Sequence, residues 1–245
     1  MQEWSDDAII LGARAHGESG AVTEVLARGL GRTAGYVHGG LSRRMQPALQ
    51  AGNLVRVTWK ARTGDQLGHF APLELIEPHA AALMADAGAL AALASAIALV
   101  RGGTADRQPY PALYDALALL VPALAERDLA PALYTRFEIG LLAALGYGLD
   151  LGACALTGVA HDLAFVSPKT GRAASAVAGA PYAERLLRLP PFLVDPDAPL
   201  VEGDVADAFA LAGWFLERRV FDRAGVGIPD ARRRLIELWG REGRL

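Results

Sequence analysis

The chain has 245 residues, of which 52% are hydrophobic and 21% charged, with a formal net charge of −3. That composition excludes disorder and collagen-like repeats, and a chain of this length buries roughly 70–75% of its unfolded surface, so it needs no disulfide or metal staple to fold. A single cysteine, Cys154, closes no intramolecular disulfide and builds no cysteine-based metal site.

The segment Met1–Asp7 carries acid where a signal peptide needs base, and no apolar segment follows, so a cytoplasmic protein is expected. The run from Ala80 to Val100 is mostly alanine and contains Asp86, so it reads as a buried helix and not as a membrane span. Only Lys60 and Lys169 are lysines, against 22 arginines. With so much alanine, that skew reads as the codon bias of a GC-rich genome.

Up to about residue 79 the chain alternates and turns often. Strands are expected at Ala8–Ala13, Val22–Leu26, Thr33–His38, Leu54–Ala61 and Leu73–Ile76, separated by Gly17-Glu-Ser-Gly20, Gly29-Leu-Gly-Arg32 and a polar loop opened by Gly39-Gly40. Five short strands with glycine-rich turns point to a small barrel, with an open two-layer sheet as the competitor. In the fourth strand, period two puts Val55, Val57 and Trp59 on one side and Arg56, Thr58, Lys60 and Arg62 on the other. The cationic row is either a solvated face or a phosphate-binding one.

Beyond residue 80 the period becomes helical. Helices are expected at Ala81–Val100, Pro111–Arg127 and Pro131–Leu145, the last stopping at Gly146-Tyr-Gly148. Val205, Ala208, Phe209, Ala212, Phe215 and Leu216 form another stripe at helical spacing. A final helix begins near Pro229-Asp230, with Ala231, Leu235, Leu238 and Trp239 inward and Arg233, Arg234 and Glu237 outward. Residues 149–200, rich in proline, read as a loop-rich insert.

Charge is uneven along the chain. Residues 1–62 hold eight basic side chains against five acidic, residues 81–216 eight against fourteen, and residues 217–245 eight against five. Two basic ends thus flank an acidic middle, a distribution that suits phosphate contacts.

No catalytic constellation is evident. A Walker loop is absent, since neither lysine follows a glycine. Gly29-Leu-Gly-Arg-Thr-Ala-Gly35 is one residue too long for a dinucleotide fingerprint, and no Gly-x-Ser-x-Gly elbow occurs. The five histidines show no metalloprotease or zinc-finger spacing. Cys154, His161 and Asp162 offer at most three ligands where a structural zinc takes four, so neither a metal nor another cofactor is expected.

Three motifs carry a resemblance. Gly17-Glu-Ser-Gly20, Gly31-Arg32, Val37-His-Gly-Gly-Leu-Ser-Arg-Arg44 and Gln46-Pro-Ala-Leu-Gln50 follow one another as in the N-terminal domain of the RecO family. Arg136-Phe-Glu-Ile-Gly-Leu-Leu-Ala-Ala-Leu-Gly-Tyr147 resembles that family's Arg-Phe-Glu helix, which ends in Leu-Gly-Tyr. Phe165-Val-Ser-Pro-Lys-Thr-Gly-Arg172 is similar to a segment within its cysteine-rich region.

The resemblance implies an α+β chain of two domains: an OB-fold barrel over residues 1–79 and an all-α helical domain over 80–245, the latter interrupted by the insert. It implies a DNA repair and recombination mediator of the RecF pathway, cytoplasmic and nucleoid-associated. Such a protein binds single- and double-stranded DNA, anneals complementary strands and helps load RecA. RecR and the acidic tail of single-strand-binding protein are the implied partners. It is not an enzyme. Many family members hold zinc with four cysteines around the position of Cys154; here Thr157 stands where the Cys-x-x-Cys partner would be, so that site does not carry over. Where relatives often have lysine in the basic loop, this chain has His38.

Arg43 and Arg44, beside Gly39-Gly40, are the first candidates for DNA contact, with Arg32, Arg56, Lys60 and Arg62 on the same domain. Trp59 is expected to point inward, whereas Tyr36 reads either as a stacking platform or as core. Arg232, Arg233 and Arg234 serve DNA, an acidic partner tail or simply a solvated helix face. The rival reading is a protein-interaction scaffold whose barrel no longer binds nucleic acid.

Overall fold

The computed structural model describes residues 2–64 and 66–245. Met1 and Asp65, both inside the stretch assigned to the barrel, lie outside the described residues. The chain divides into two compact units, Met1–Ala125 and Glu126–Leu245.

In the first unit, β1 (Gln2–His16), β2 (Gly20–Ala27), β3 (Gly31–Val37), β4 (Leu54–Ala61) and β5 (His69–Glu77) close a barrel in the order β1-β2-β3-β5-β4. This is the OB-fold arrangement, and the open-sheet alternative is excluded. The inner rows come from period-two alternation: Ala8 and Ile10, Val25 and Ala27, Val37, then Val55, Val57 and Trp59, share one core with Phe70 and Leu73. Trp59 stacks on Trp4 at 5.9 Å, and its indole nitrogen donates to the Leu67 carbonyl.

Three helices follow in this unit, α1 (His79–Leu83), α2 (Ala87–Gly103) and α3 (Pro111–Ala123). The compact unit therefore holds these helices together with the barrel. The reason is visible in β1, where Ala8-Ile-Ile-Leu11 does not alternate. Ile9 and Leu11 are as buried as Ile10 although they point away from the barrel core, and Ile9 lines a small cavity with Ala118 and Val121 of α3. A strand covered on both faces reads as a continuous apolar run.

The single helix expected over Ala81–Val100 is broken at Asp86. That carboxylate accepts hydrogen bonds from the Gly88 and Ala89 amides at 2.7 and 3.3 Å, capping α2 and forcing a new start. At Gly31 the chain passes close to a neighbouring backbone: its φ is +78°, and a Cβ there would lie 1.8 Å from the Gln108 carbonyl oxygen. Gly31→Ala should cost more than the about 1–2 kcal/mol of the left-handed backbone alone, read as a lowered urea midpoint.

The second unit contains α4 (Ala130–Ala144), then β6 (Leu163–Val166), β7 (Ala173–Ser175), α5 (Ala176–Gly179) and β8 (Leu187–Arg188), and finally α6 (Asp204–Phe215) and α7 (Asp230–Arg241). A π-helical turn, Leu216–Phe221, prolongs α6. The region is helical but not purely so, because the insert contributes a three-stranded antiparallel sheet in the order β7-β6-β8. Its short strands were hidden by proline punctuation. The α6 stripe is buried as its spacing requires, with Ala208, Phe209, Ala212, Phe215 and Leu216 inside. Tyr134 of α4 stacks on Phe209 at 5.7 Å and meets Trp239 of α7 edge-on at 5.7 Å.

Candidate nucleic-acid interface

The loop between β3 and β4 is held at both ends. Gly39 turns with φ +64°, the Leu41 amide donates to the Ser19 carbonyl, and Ser42 donates to Gly39. Further on, Ala48 and Leu49 enter the barrel core, and buried Asn53 donates to the Pro47 carbonyl at 2.8 Å while accepting from the Ala80 amide at 2.9 Å. Gln46-Pro-Ala-Leu-Gln50 is thus the anchor of the loop, and Arg43 and Arg44 stand exposed between the tethers. Among the described residues neither has an ion-pair partner. Two adjacent, unpaired guanidiniums on a tethered loop thus leave their positive charge open to solvent.

The β4 row is different. Antiparallel pairing sets Glu3, Ser5 and Asp7 of β1 directly opposite Lys60, Thr58 and Arg56. Arg56 donates twice to Asp7, at 2.8 and 3.2 Å, and Lys60 lies 3.2 Å from Glu3. The hydrogen bond that Arg56 donates to Asp7, then the Asp7 charge, holds the Arg56 guanidinium above its ordinary pKa. The face that looked cationic in one strand is therefore neutralised by its neighbour. Arg62, beyond the strand, is exposed and has no ion pair among the described residues.

Arg32 is a strut. It binds Glu24 at 2.8 Å, Asp106 at 2.7 Å and the Thr104 carbonyl at 3.1 Å, with only a fifth of its side chain exposed. As a phosphate contact it is corrected: its charge is already committed to two carboxylates. Arg14 went unnoticed in the sequence. It stands exposed on β1, one residue beyond the end expected for that strand, without an ion pair among the described residues.

In the second unit, the arginine triplet separates into three environments. Arg232 is buried, donates twice to Glu138 at 2.6 and 2.8 Å, and donates to the Phe209 carbonyl at 2.8 Å. It offers nothing to a partner, which corrects its place among the partner-binding residues. Helical spacing aims Arg232 into the core because it stands three residues before Leu235 and seven before Trp239. Arg233 is exposed and paired with Asp230 at 2.9 Å, while exposed Arg234 has no ion pair among the described residues.

The loop around Cys154 does not fit the family's zinc. Only one thiol is present, and among the described residues no three histidine, cysteine or acidic side chains converge. Hydrogen bonds close the loop: Cys154 N donates to Val159 O at 2.7 Å, and Gly158 N to Cys154 O at 2.8 Å. The thiol is pulled down to about 6 by hydrogen bonding to the Thr157 side chain, followed by the Ser175 backbone. Because the fold favours the ionised form, the thiolate persists on acidification until near pH 6, whereas an ordinary thiol is protonated below about 8.5. Cys154 is buried, so its ionisation is read without a reagent: the ultraviolet absorbance of the thiolate should titrate with a midpoint near 6, and Thr157→Val should move it upward.

Comparison with known proteins agrees with this architecture. The family model described as "Recombination protein O N terminal" matches residues 1–79, and "Recombination protein O C terminal" matches residues 84–224. A DNA repair protein RecO from Methylobacterium nodulans is 50% identical over 241 residues, covering 96% of this chain and 97% of its own. One from Rhodospirillum centenum is 50% identical over 237 residues, covering 96% and 94%. One from Phenylobacterium zucineum is 46% identical over 243 residues, covering 99% and 100%. With both domains matched in order and relatives aligned along nearly their whole length, the chain belongs to the RecO family of DNA repair proteins.

Proposed function

We propose that this protein is a recombination mediator that binds single- and double-stranded DNA, anneals complementary strands and helps load RecA onto strands coated by single-strand-binding protein. The observation that carries the reading is the unpaired Arg43–Arg44 pair, exposed on a loop fixed at both ends to an OB-fold barrel. Arg62 is the second contact. Arg56 and Lys60 contribute less, because Asp7 and Glu3 already neutralise them.

The mechanism is binding and positioning. Guanidiniums neutralise phosphates and leave base edges open, so two bound strands meet with less electrostatic repulsion. No bond in DNA is broken or made. RecR and the acidic tail of single-strand-binding protein are the protein partners of this reading, and exposed Arg234 suits such a tail. The site of action is the cytoplasm, at the nucleoid. No helix among the described residues is long and apolar enough to cross a membrane.

An annealing assay tests the reading. Two complementary fluorescent oligonucleotides, first coated with single-strand-binding protein, should pair faster when this protein is added. A pairing rate unchanged at any protein concentration would overturn the annealing role.

A further inference from the structure

On the outside of the barrel, four rings form one strip across several strands. Register places His16 of β1 opposite Gly20 of β2, and Tyr36 of β3 opposite Val22. Gly20 has no side chain, and the Tyr36 ring lies across that gap: a Cβ on Gly20 would sit 1.8 Å from the phenol oxygen. His16 meets Tyr36 edge-on at 5.9 Å from the other side. His38 meets the same ring edge-on at 4.7 Å and lies 6.1 Å from His69. His69 of β5 is also the strand partner of Tyr36. Tyr36 and His69 are half-buried and His16 and His38 are exposed, so the strip belongs to the surface and not to the barrel core.

The surroundings complement an anion. Among the described residues, none of Arg14, His16, His38 and His69 pairs with a carboxylate. Beside the strip is a cleft of about 460 Å³, floored by Gly12, Val22 and Ala34 and rimmed by Arg14 and Arg101. Its one carboxylate, Glu24, is occupied by Arg32 and Arg101 at 2.8 and 2.7 Å.

We propose that this strip is a base-stacking platform for single-stranded nucleic acid, with Tyr36 as its central ring and Arg14 as the adjoining phosphate contact. The inference rests on the DNA-binding reading above and adds to it a site for the base itself. A ring held at a barrel surface by Gly20 and flanked by the imidazoles of His16 and His38, with His69 beyond, offers a preorganised face to any base, whatever its identity. Bases in a duplex are stacked on each other and cannot use it, so the platform favours unpaired strands. In annealing, it would hold a single strand by one base while neighbouring bases remain free to pair.

The test compares binding of a thymidine oligonucleotide with that of an abasic oligonucleotide of equal length, by fluorescence anisotropy over a range of salt. The wild-type protein should prefer the thymidine strand by about 5- to 150-fold, the stacking contribution of a single base. Tyr36→Leu should abolish that preference while leaving the salt slope unchanged, and Tyr36→Phe should retain it. Gly20→Ala, which displaces the ring without removing it, should also reduce the preference. Circular dichroism of each variant reports on the barrel. A preference undiminished in folded Tyr36→Leu would overturn the platform. Equal, steeply salt-dependent binding of both oligonucleotides by the wild type would also overturn it, while leaving phosphate binding intact. Binding of neither would remove the DNA-binding reading and the platform together.

Discussion

Replacing Glu138 by alanine should destabilise the protein by about 3–5 kcal/mol, the cost of leaving a buried charge without its partner. The side chain of Glu138 is fully buried and that of Arg232 is 8% exposed, so water cannot take over the lost contact. Burial pushes the Glu138 carboxyl upward, and the Arg232 charge and hydrogen bonds pull it back. The arginine is further committed to the Phe209 carbonyl and lies over the Phe209 ring at 5.4 Å. Removing the carboxylate therefore strands a guanidinium between α4, α6 and α7. Thermal unfolding should show a loss of roughly 6–20 °C. The double variant Glu138→Leu with Arg232→Leu should recover much of it, because an apolar pair of similar volume removes both charges. A single variant as stable as the wild type would show the pair to be inessential. The same contact explains the Arg136-Phe-Glu138 motif: Arg136 donates to the Phe192 carbonyl, Phe137 fills the core and Glu138 holds α7.

For DNA binding, the largest expected effect belongs to Arg43→Ala combined with Arg44→Ala. Each lost phosphate contact should lower the salt slope for single strands by about 0.7, or about 1.4 for the pair. Affinity at low salt should drop by about tenfold or more, because a charge-assisted hydrogen bond contributes about 1.5–3 kcal/mol. Both side chains are exposed and unpaired among the described residues, so the variant should fold with unchanged circular dichroism. Arg56→Ala is the internal control. Its charge is shared with Asp7, so removing it should change the slope far less. An equal effect from Arg56→Ala would mean that the β4 face, and not the loop, meets the phosphates.

Local periodicity made much of this fold legible. Strand alternation in Val55-Arg-Val-Thr-Trp59 and helical spacing from Val205 to Leu216 both survive in the structure, because each element buries one face. What escaped was set by contacts distant in sequence. Glu3 and Asp7 looked like an acidic terminus, yet they are a strand that neutralises residues more than forty positions away. Arg232 looked like a surface cation for the same reason, its carboxylate partner Glu138 standing far along the chain, and Arg32 for a related one: Asp106 is distant, and Glu24, though near in sequence, meets it only across the paired strands β2 and β3. Arg43 and Arg44 remained legible because glycine and proline turns isolate them from such partners. Asp86 is a local signal, an N-cap before an alanine run, masked by the apparent continuity of that run. The barrel unit's extension to Ala125 had its sign in the unalternating Ala8–Leu11, which only a second packing face explains.

The most direct measurement is the affinity of this protein for a labelled single-stranded oligonucleotide across a salt series. Micromolar or tighter binding with a steep log–log slope, reduced by about 1.4 in the Arg43/Arg44 double variant, is the predicted result. No binding at low salt would contradict the account, leaving a scaffold that reaches DNA only through its protein partners.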